Sequence, residues 1–74
     1  MSKVRWGIIG TGSIASAFAH SIKHCNHSEL SAVFGRNKET LQTFSQKFDV
    51  TGINDIEELV SSNEIDAIYI ATPH

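Results

Sequence analysis

The first fifteen residues constrain the fold more than any other part of the chain. Residues 4–9 read VRWGII and are mostly apolar without strict alternation, a pattern typical of a parallel strand covered on both faces. A glycine-containing turn follows at residues 10–12, and an amphipathic helix begins directly after it. A buried strand that leads through glycines into a helix predicts the start of a β-α-β unit.

The turn itself has a spacing that suits a dinucleotide. Residues 10–15 read GTGSIA, the G-x-G-x-x-A form of the Rossmann dinucleotide-binding fingerprint. In that pattern Gly10 permits a tight turn, Gly12 lets the backbone approach a pyrophosphate, and Ala15 lets the helix lie close to the strand. The alternative is an ordinary strand-to-helix turn. We predict that this turn holds the cofactor through Gly10, Thr11, Gly12, Ser13 and Ile14.

The rest of the chain repeats the alternation of strand and helix. Further strands are predicted at residues 30–36, 50–53 and 66–71, and helices at residues 13 to 24 or 25, after Asn37, and after a capping box at residues 54–57. This β-α-β-α-β-α-β order predicts an α/β fold, a doubly wound parallel sheet with strand order 3-2-1-4 and helices on both faces. The ligand is then expected at the carboxyl ends of strands one and four.

Each helix carries an apolar stripe that is predicted to face the sheet. The inward-facing residues are predicted to be Ile14, Phe18, Ile22 and Cys25 in the first helix, with Ala15 and Ser21 in the same stripe, then Leu41, Phe44 and Phe48 in the second helix, and Ile56, Leu59 and Val60 in the third. The third helix alone covers one face of the sheet. An apolar patch of Trp6, Ile8 or their alternates with Ile68 and Ile70 is therefore expected to stay uncovered, and we predict a homo-oligomer.

Three histidines at the end of the first helix invite a metal-binding interpretation. His20, His24 and His27 follow one another at i, i+4 and i+7, with Cys25 nearby. The alternative is an exposed face whose imidazoles lie favourably near the negative end of the helix. Because Cys25 is predicted to point with the buried stripe and no partner that orients the rings is evident, we predict no metal site.

Length and charge limit the function classes. The 74 residues are fewer than two β-α-β-α-β halves need, so residues 1–74 are predicted to form the N-terminal portion of one dinucleotide-binding domain. Six basic and eight acidic residues form no basic stripe, which disfavours nucleic-acid binding, and no apolar run suggests a membrane partner. The single Cys25 excludes an internal disulfide and favours the cytoplasm.

With these motifs placed on one sheet edge, the chain resembles the N-terminus of the Gfo/Idh/MocA family, the glucose-fructose oxidoreductases and inositol dehydrogenases. The resemblance rests on residues 5–12 (RWGIIGTG), residues 35–37 (GRN) and residues 71–74 (ATPH). It implies an NAD(P)-dependent oxidoreductase that transfers hydride between nicotinamide and a sugar, cyclitol or diol hydroxyl. It also implies that the cofactor's nicotinamide end lies near Ala71, Thr72, Pro73 and His74. The family's catalytic lysine, in a Glu-Lys-Pro motif, does not occur in these residues, and no catalytic residue is predicted here.

The end of the second strand bears on the choice of cofactor. NAD-binding units usually place Asp or Glu there for the ribose hydroxyls, whereas this chain has Gly35, followed by Arg36 and Asn37. Arg36 has a planar fork suited to a 2′-phosphate, so we predict NADP, with NAD as the alternative. The alternative interpretation is that Arg36 is an ordinary solvent-exposed residue at the end of a strand.

Two other functional classes compete with the dehydrogenase. One is a non-catalytic NAD(P)-binding or redox-sensing module. The other is a methyltransferase-like or flavin-binding relative, which is expected to have an acidic residue at the end of the second strand.

Overall fold

The structure is a computed structural model, and it describes residues 3–71. Its elements are β1 (Val4–Ile9), α1 (Ser13–Lys23), β2 (Ser28–Phe34), α2 (Lys38–Phe48), β3 (Thr51–Ile53), α3 (Ile56–Val60) and β4 (Ala67–Ile70). All strand pairs are parallel, and the sheet order is β3-β2-β1-β4. The predicted doubly wound α/β fold and its strand order are therefore confirmed.

The sheet has a separate apolar core on each face. On the face covered by α1 and α2, the buried residues are Ile8, Ala15, Ala19, Val33, Leu41, Phe44, Phe48 and Ala71. On the face covered by α3 they are Ala32, Ile53 and Leu59. Because strand side chains alternate between the two faces, this division follows directly from the register of the strands.

The second helix begins where the sequence predicts. The Asn37 side-chain oxygen accepts hydrogen bonds from the backbone amides of Glu39 and Thr40, at 2.9 and 3.2 Å. This bonding satisfies two amides that a helix N-terminus otherwise leaves without partners. The helix ends at Phe48, and the capping residue that follows, Asp49, adopts the left-handed conformation with a φ of 53°. The predicted inward face of Leu41, Phe44 and Phe48 is confirmed.

The buried line of α1 differs from the predicted one. Ala15, Ala19 and Ile22 are buried, whereas Ile14 is 58% exposed. The small alanines let α1 lie close against the sheet, and this turns Ile14, one residue away, toward solvent. Cys25 is also exposed, since α1 ends at Lys23 and the thiol lies beyond the helix. The predictions that Ile14, Ser21 and Cys25 face inward are therefore wrong, whereas those for Ala15 and Ile22 are confirmed.

The third helix has only one inward residue. Leu59 is fully buried, whereas Ile56 and Val60 are 44% and 55% exposed. Because α3 has five residues, little more than one turn, only one position can face the sheet fully. The prediction that Ile56 and Val60 also pack inward is wrong.

The strands are shorter or shifted relative to their predicted bounds. β2 begins at Ser28 rather than at residue 30 and ends at Phe34 rather than at residue 36. β3 begins at Thr51, and β4 covers Ala67–Ile70. β2 extends at its start because it pairs with β1 from Val4 and Ser28 onward.

Ile70 is the most exposed of the residues expected to form the uncovered apolar patch. Ile8 is fully buried, and the Trp6 ring packs edge-on against Phe18, with centroids 5.2 Å apart. The alternate residue Ile9 pairs with Ile70, which is 67% exposed. Ile9 itself packs against the core of Ala32, Ile53 and Leu59, so the expected patch is limited to the exposed Ile70, while Ile8 is buried and Trp6 half-buried.

Candidate functional site

A cleft of about 490 Å³ opens at the carboxyl ends of β1 and β2. Its lining residues are Ile9, Gly10, Thr11, Phe34, Gly35, Arg36, Asn37 and Thr40. Five of these were predicted from the sequence, in two segments more than twenty residues apart. The structure therefore brings the glycine turn and the segment after β2 together at one edge of the sheet.

Three residues of the cleft were missed by the sequence argument. Ile9 and Phe34 are the last residues of their strands and are neighbours in the sheet register. Thr40 lies in the first turn of α2, three residues after the capping Asn37. A usable signal was present, because the last residues of adjacent parallel strands always meet at the same sheet edge.

The turn after β1 depends on Gly10. Its φ is +120°, a conformation that L side chains rarely adopt, and a Cβ there would lie 2.8 Å from the Ala71 carbonyl oxygen. The Gly10 amide donates to the Phe34 carbonyl over 2.9 Å, and the Ala71 amide donates to the Ile9 carbonyl over 2.9 Å. These bonds hold the turn between the ends of β2 and β4.

Gly12 begins α1 without a side chain that could cap it. Its φ is −79°, which any residue adopts, and a Cβ there would meet no atom within 4 Å. The helix has no acidic residue in its first turn, whereas α2 has Glu39 and α3 has Glu57 and Glu58. The start of α1 therefore combines the absence of a side-chain cap with open space at Gly12, a combination that suits an anion.

Gly35 is held in place by packing. It is buried, and a Cβ there would lie 2.9 Å from Thr11 Cγ2 and 3.2 Å from Leu41 Cβ. Its amide donates to the Ile53 carbonyl at 3.3 Å. A larger residue at this position has to displace the glycine turn or α2, so packing alone is a sufficient reason for glycine.

Polar side chains of the β2–α2 turn differ in how many of their hydrogen-bonding groups already have a partner. The Asn37 side-chain oxygen is already bonded to α2, which leaves its amide nitrogen for a ligand. The Thr40 hydroxyl donates to the Asn37 carbonyl over 3.1 Å and lies 3.5 Å from the Thr11 hydroxyl. Arg36 lines the cleft and is exposed, and within residues 3–71 its guanidinium forms no ion pair.

The remaining predicted site residues lie around this cleft or outside the described chain. Ser13 and Ile14 are exposed at the start of α1. Ala71 is adjacent to Gly10, but its methyl group is buried in the core. Thr72, Pro73 and His74 lie outside the described residues, and their predicted contacts with the cofactor stay predictions.

An ion pair joins β1 to the residue that precedes β4, at the end of the sheet opposite the cleft. The Arg5 guanidinium donates to both oxygens of Asp66, at 3.0 and 3.1 Å, and to the Asn63 carbonyl at 3.2 Å. The Arg5 backbone amide also donates to Asp66, at 2.9 Å. These hydrogen bonds lower the pKa of Asp66 to about 2 and raise the pKa of Arg5. Sequence reasoning did not identify this pair.

Within residues 3–71, no group of three or more His, Cys, Asp or Glu side chains is arranged to hold a metal ion. No helix in that range has both the length and the apolar character needed to cross a bilayer.

Comparison with known proteins agrees with this geometry. Residues 4–74 match the model of an oxidoreductase family with an NAD-binding Rossmann fold, GFO_IDH_MocA. The chain belongs to the Gfo/Idh/MocA oxidoreductase family. The resemblance found in the sequence is thereby confirmed.

Members of the Gfo/Idh/MocA family show similarity along nearly the whole chain. It is 33% identical over 72 residues to scyllo-inositol 2-dehydrogenase (NADP(+)) of Bacillus subtilis, covering 96% of this chain and 22% of that protein. It is 34% identical over 74 residues to mouse trans-1,2-dihydrobenzene-1,2-diol dehydrogenase, again covering 96% and 22%.

A solved structure has the same fold at similar identity. Biliverdin reductase from Synechocystis, in complex with biliverdin and NADP+, superimposes with a TM-score of 0.89 and 32% identity, covering 93% of this chain and 22% of that one. The chain thus spans about a fifth of the length of the proteins that it matches.

Proposed function

We propose that this chain is the cofactor-binding part of an NAD(P)-dependent oxidoreductase. The observation that carries the proposal is the uncapped start of α1 beside the cleft. Free backbone amides, the positive end of the helix dipole and the open space around Gly12 together suit the pyrophosphate of a dinucleotide. The cofactor's adenosine end would then occupy the cleft, with Gly35 and Arg36 on its wall.

The reaction we propose for the whole protein is hydride transfer between nicotinamide and a hydroxyl-bearing carbon. A sugar, cyclitol or diol is the substrate class, supported by the inositol and dihydrodiol dehydrogenases that the chain resembles. General acid-base chemistry on a hydroxyl needs a proton-accepting group near the reacting carbon, and the cleft of residues 3–71 offers none suited to it. We therefore assign residues 3–71 to cofactor binding and expect the catalytic group in another part of the protein.

The pyrophosphate assignment is tested by Gly12→Val and its control Gly12→Ala in the full-length protein. Neither side chain has a protein atom within 4 Å of its Cβ, so both variants should fold normally by circular dichroism. Valine fills the space above the first amides and should weaken cofactor binding at least about tenfold, the equivalent of one charge-assisted hydrogen bond. Unchanged affinity of the valine variant would show that the pyrophosphate binds elsewhere.

For the cofactor itself we propose a preference for NADP over NAD. Arg36 is exposed on the cleft wall and makes no ion pair within residues 3–71, so its guanidinium group is available to bind a 2′-phosphate. One such charge-assisted bond contributes about 1.5–3 kcal/mol, which is a preference of roughly 10–150-fold.

The preference is measured by titrating NADP+ and NAD+ against the wild type, Arg36→Ala and Lys38→Ala. Lys38 is a matched control because it is an exposed cation two residues away that does not line the cleft. Arg36→Ala should bring the two affinities together, while Lys38→Ala should leave their ratio nearly unchanged. An unchanged ratio in Arg36→Ala would remove the support for NADP.

The competing possibility of a redox-sensing module is separated from the dehydrogenase by turnover. The full-length protein should reduce NADP+ in the presence of a polyol or sugar. Tight cofactor binding without turnover on any substrate of this class would favour the sensing module. The cytoplasmic location and the homo-oligomer stay predictions.

A further inference from the structure

A pair of histidines at the end of α1 lies outside the cofactor cleft. His20 lies in the last turn of α1 and His24 is the C-cap residue that follows it, four positions on, so their side chains lie on the same side about one turn apart. Both are exposed, and their ring centroids are 4.6 Å apart with the planes inclined at 51°. Two imidazoles are therefore held close together on an accessible surface.

One of the two rings is oriented by the helix backbone. The Nδ1 atom of His24 lies 2.9 Å from the carbonyl oxygen of His20. Because a carbonyl only accepts, Nδ1 is the protonated nitrogen and donates this bond. The lone pair of the neutral ring is then on Nε2. A backbone carbonyl that fixes the tautomer in this way is a usual partner of a metal-ligating histidine. Such a partner is not evident from the sequence alone, and the structure provides it.

The ring separation suits two ligands of one ion. A metal about 2.0–2.1 Å from an imidazole nitrogen lies roughly 3.2 Å from the ring centre, so two ligands at right angles place their centroids roughly 4.5 Å apart. The observed 4.6 Å agrees with this arrangement. The carbonyl end of a helix also favours a positive charge.

We propose that His20 and His24 form a binding site for a divalent transition-metal ion. Imidazole favours copper, nickel and zinc among these ions, with affinity expected to fall from copper through nickel to zinc. Because no third His, Cys, Asp or Glu within residues 3–71 completes the group, water fills the other positions. The site is separate from the cleft and does not depend on the proposed oxidoreductase function.

The test is calorimetric titration of Ni²⁺ into the protein without a histidine tag. Nickel is chosen because, unlike copper, it does not oxidise the exposed thiol of Cys25. We expect saturable binding of one ion per chain. His20→Ala and His24→Ala should each weaken it by at least about tenfold. His27→Ala and Cys25→Ser, which change nearby residues outside the pair, should bind as the wild type does.

A second measurement reads the ligating atoms directly. On addition of Zn²⁺, the imidazole ¹⁵N spectrum should show a shift of His24 Nε2, while Nδ1 keeps its proton. Saturable binding that survives in either single variant, or that disappears in His27→Ala or Cys25→Ser, would overturn the proposal. Absence of saturable binding, or a Zn²⁺ shift confined to other residues, would do the same.

Discussion

A Cβ on Gly10 would lie 2.8 Å from the carbonyl oxygen of Ala71, so the start of the glycine turn lies tightly against the residue that follows β4. The same two chain segments are joined by the hydrogen bond from the Ala71 amide to the Ile9 carbonyl. The turn is therefore shaped by a neighbouring strand that follows it by about sixty residues. Changes at Gly10 should act on the fold, whereas changes at Gly12 should act on the ligand.

Gly10→Ala should destabilise the protein, and Gly12→Ala should leave its stability nearly unchanged. Alanine at Gly10 is strained at a φ of +120° and collides with Ala71, whereas alanine at Gly12 has ordinary backbone angles and open space. The expected loss for Gly10→Ala is about 1–3 kcal/mol. Urea unfolding of both variants measures the difference, and equal midpoints would contradict it.

Leu59→Ala should detach α3 from the sheet. Leu59 is the only fully buried residue of this helix and packs with Ala32 and Ile53. Truncation of a buried leucine costs about 2–5 kcal/mol. Val60→Ala is the control, because Val60 is 55% exposed and should change stability by less than about 0.5 kcal/mol. The melting temperatures of the two variants are compared by thermal unfolding. Similar values would show that Leu59 does not anchor α3.

The Arg5–Asp66 pair should make stability depend on pH in the acid range. The pKa of Asp66 is lowered from 3.8 to about 2 in the folded state, so the unfolded chain binds the proton more readily. The stabilisation is complete above the unfolded pKa and is lost as the pH falls from about 4 toward 2. Both side chains are partly exposed, at 38% and 43%, so the effect should be small and weaken with salt.

Asp66→Asn is the variant that tests this pH dependence. The amide keeps the shape of the side chain but carries no charge. At neutral pH the free energy of unfolding of the variant should therefore be lower than that of the wild type. The two proteins should converge as the pH approaches 2. A constant difference across the acid range would assign the effect to hydrogen bonding or packing instead of the charge.

Ile70→Glu should reduce self-association of the 74-residue chain. Ile70 is 67% exposed on β4, which has a strand neighbour on one side only within residues 3–71. Charged residues at an edge strand oppose pairing with another sheet. Sedimentation at high micromolar concentration should show a shift toward monomer relative to the wild type and to the control Val60→Glu on α3. A wild type that is already a stable monomer would refute the predicted homo-oligomer.

Local pattern was sufficient to predict the architecture. The order of apolar runs, glycine turns and helical stripes gave the sheet order, because short right-handed crossovers leave few alternatives. Asn37 was also identifiable as a helix start, because capping is local and involves amides only two and three residues away. Five of the residues that line the cleft followed from the glycine motif and from where parallel strands end.

Tertiary structure decided what depends on how the elements are placed. The sequence alone did not tell Ala19 from Ile14 as the buried residue of α1, because the rotation of a helix on its sheet is set by packing. It also did not reveal the Arg5–Asp66 pair, whose members are 61 positions apart, or the contact of Gly35 with Thr11. Such contacts form only after the sheet has assembled, and the hydrophobic periodicity of the sequence does not predict them.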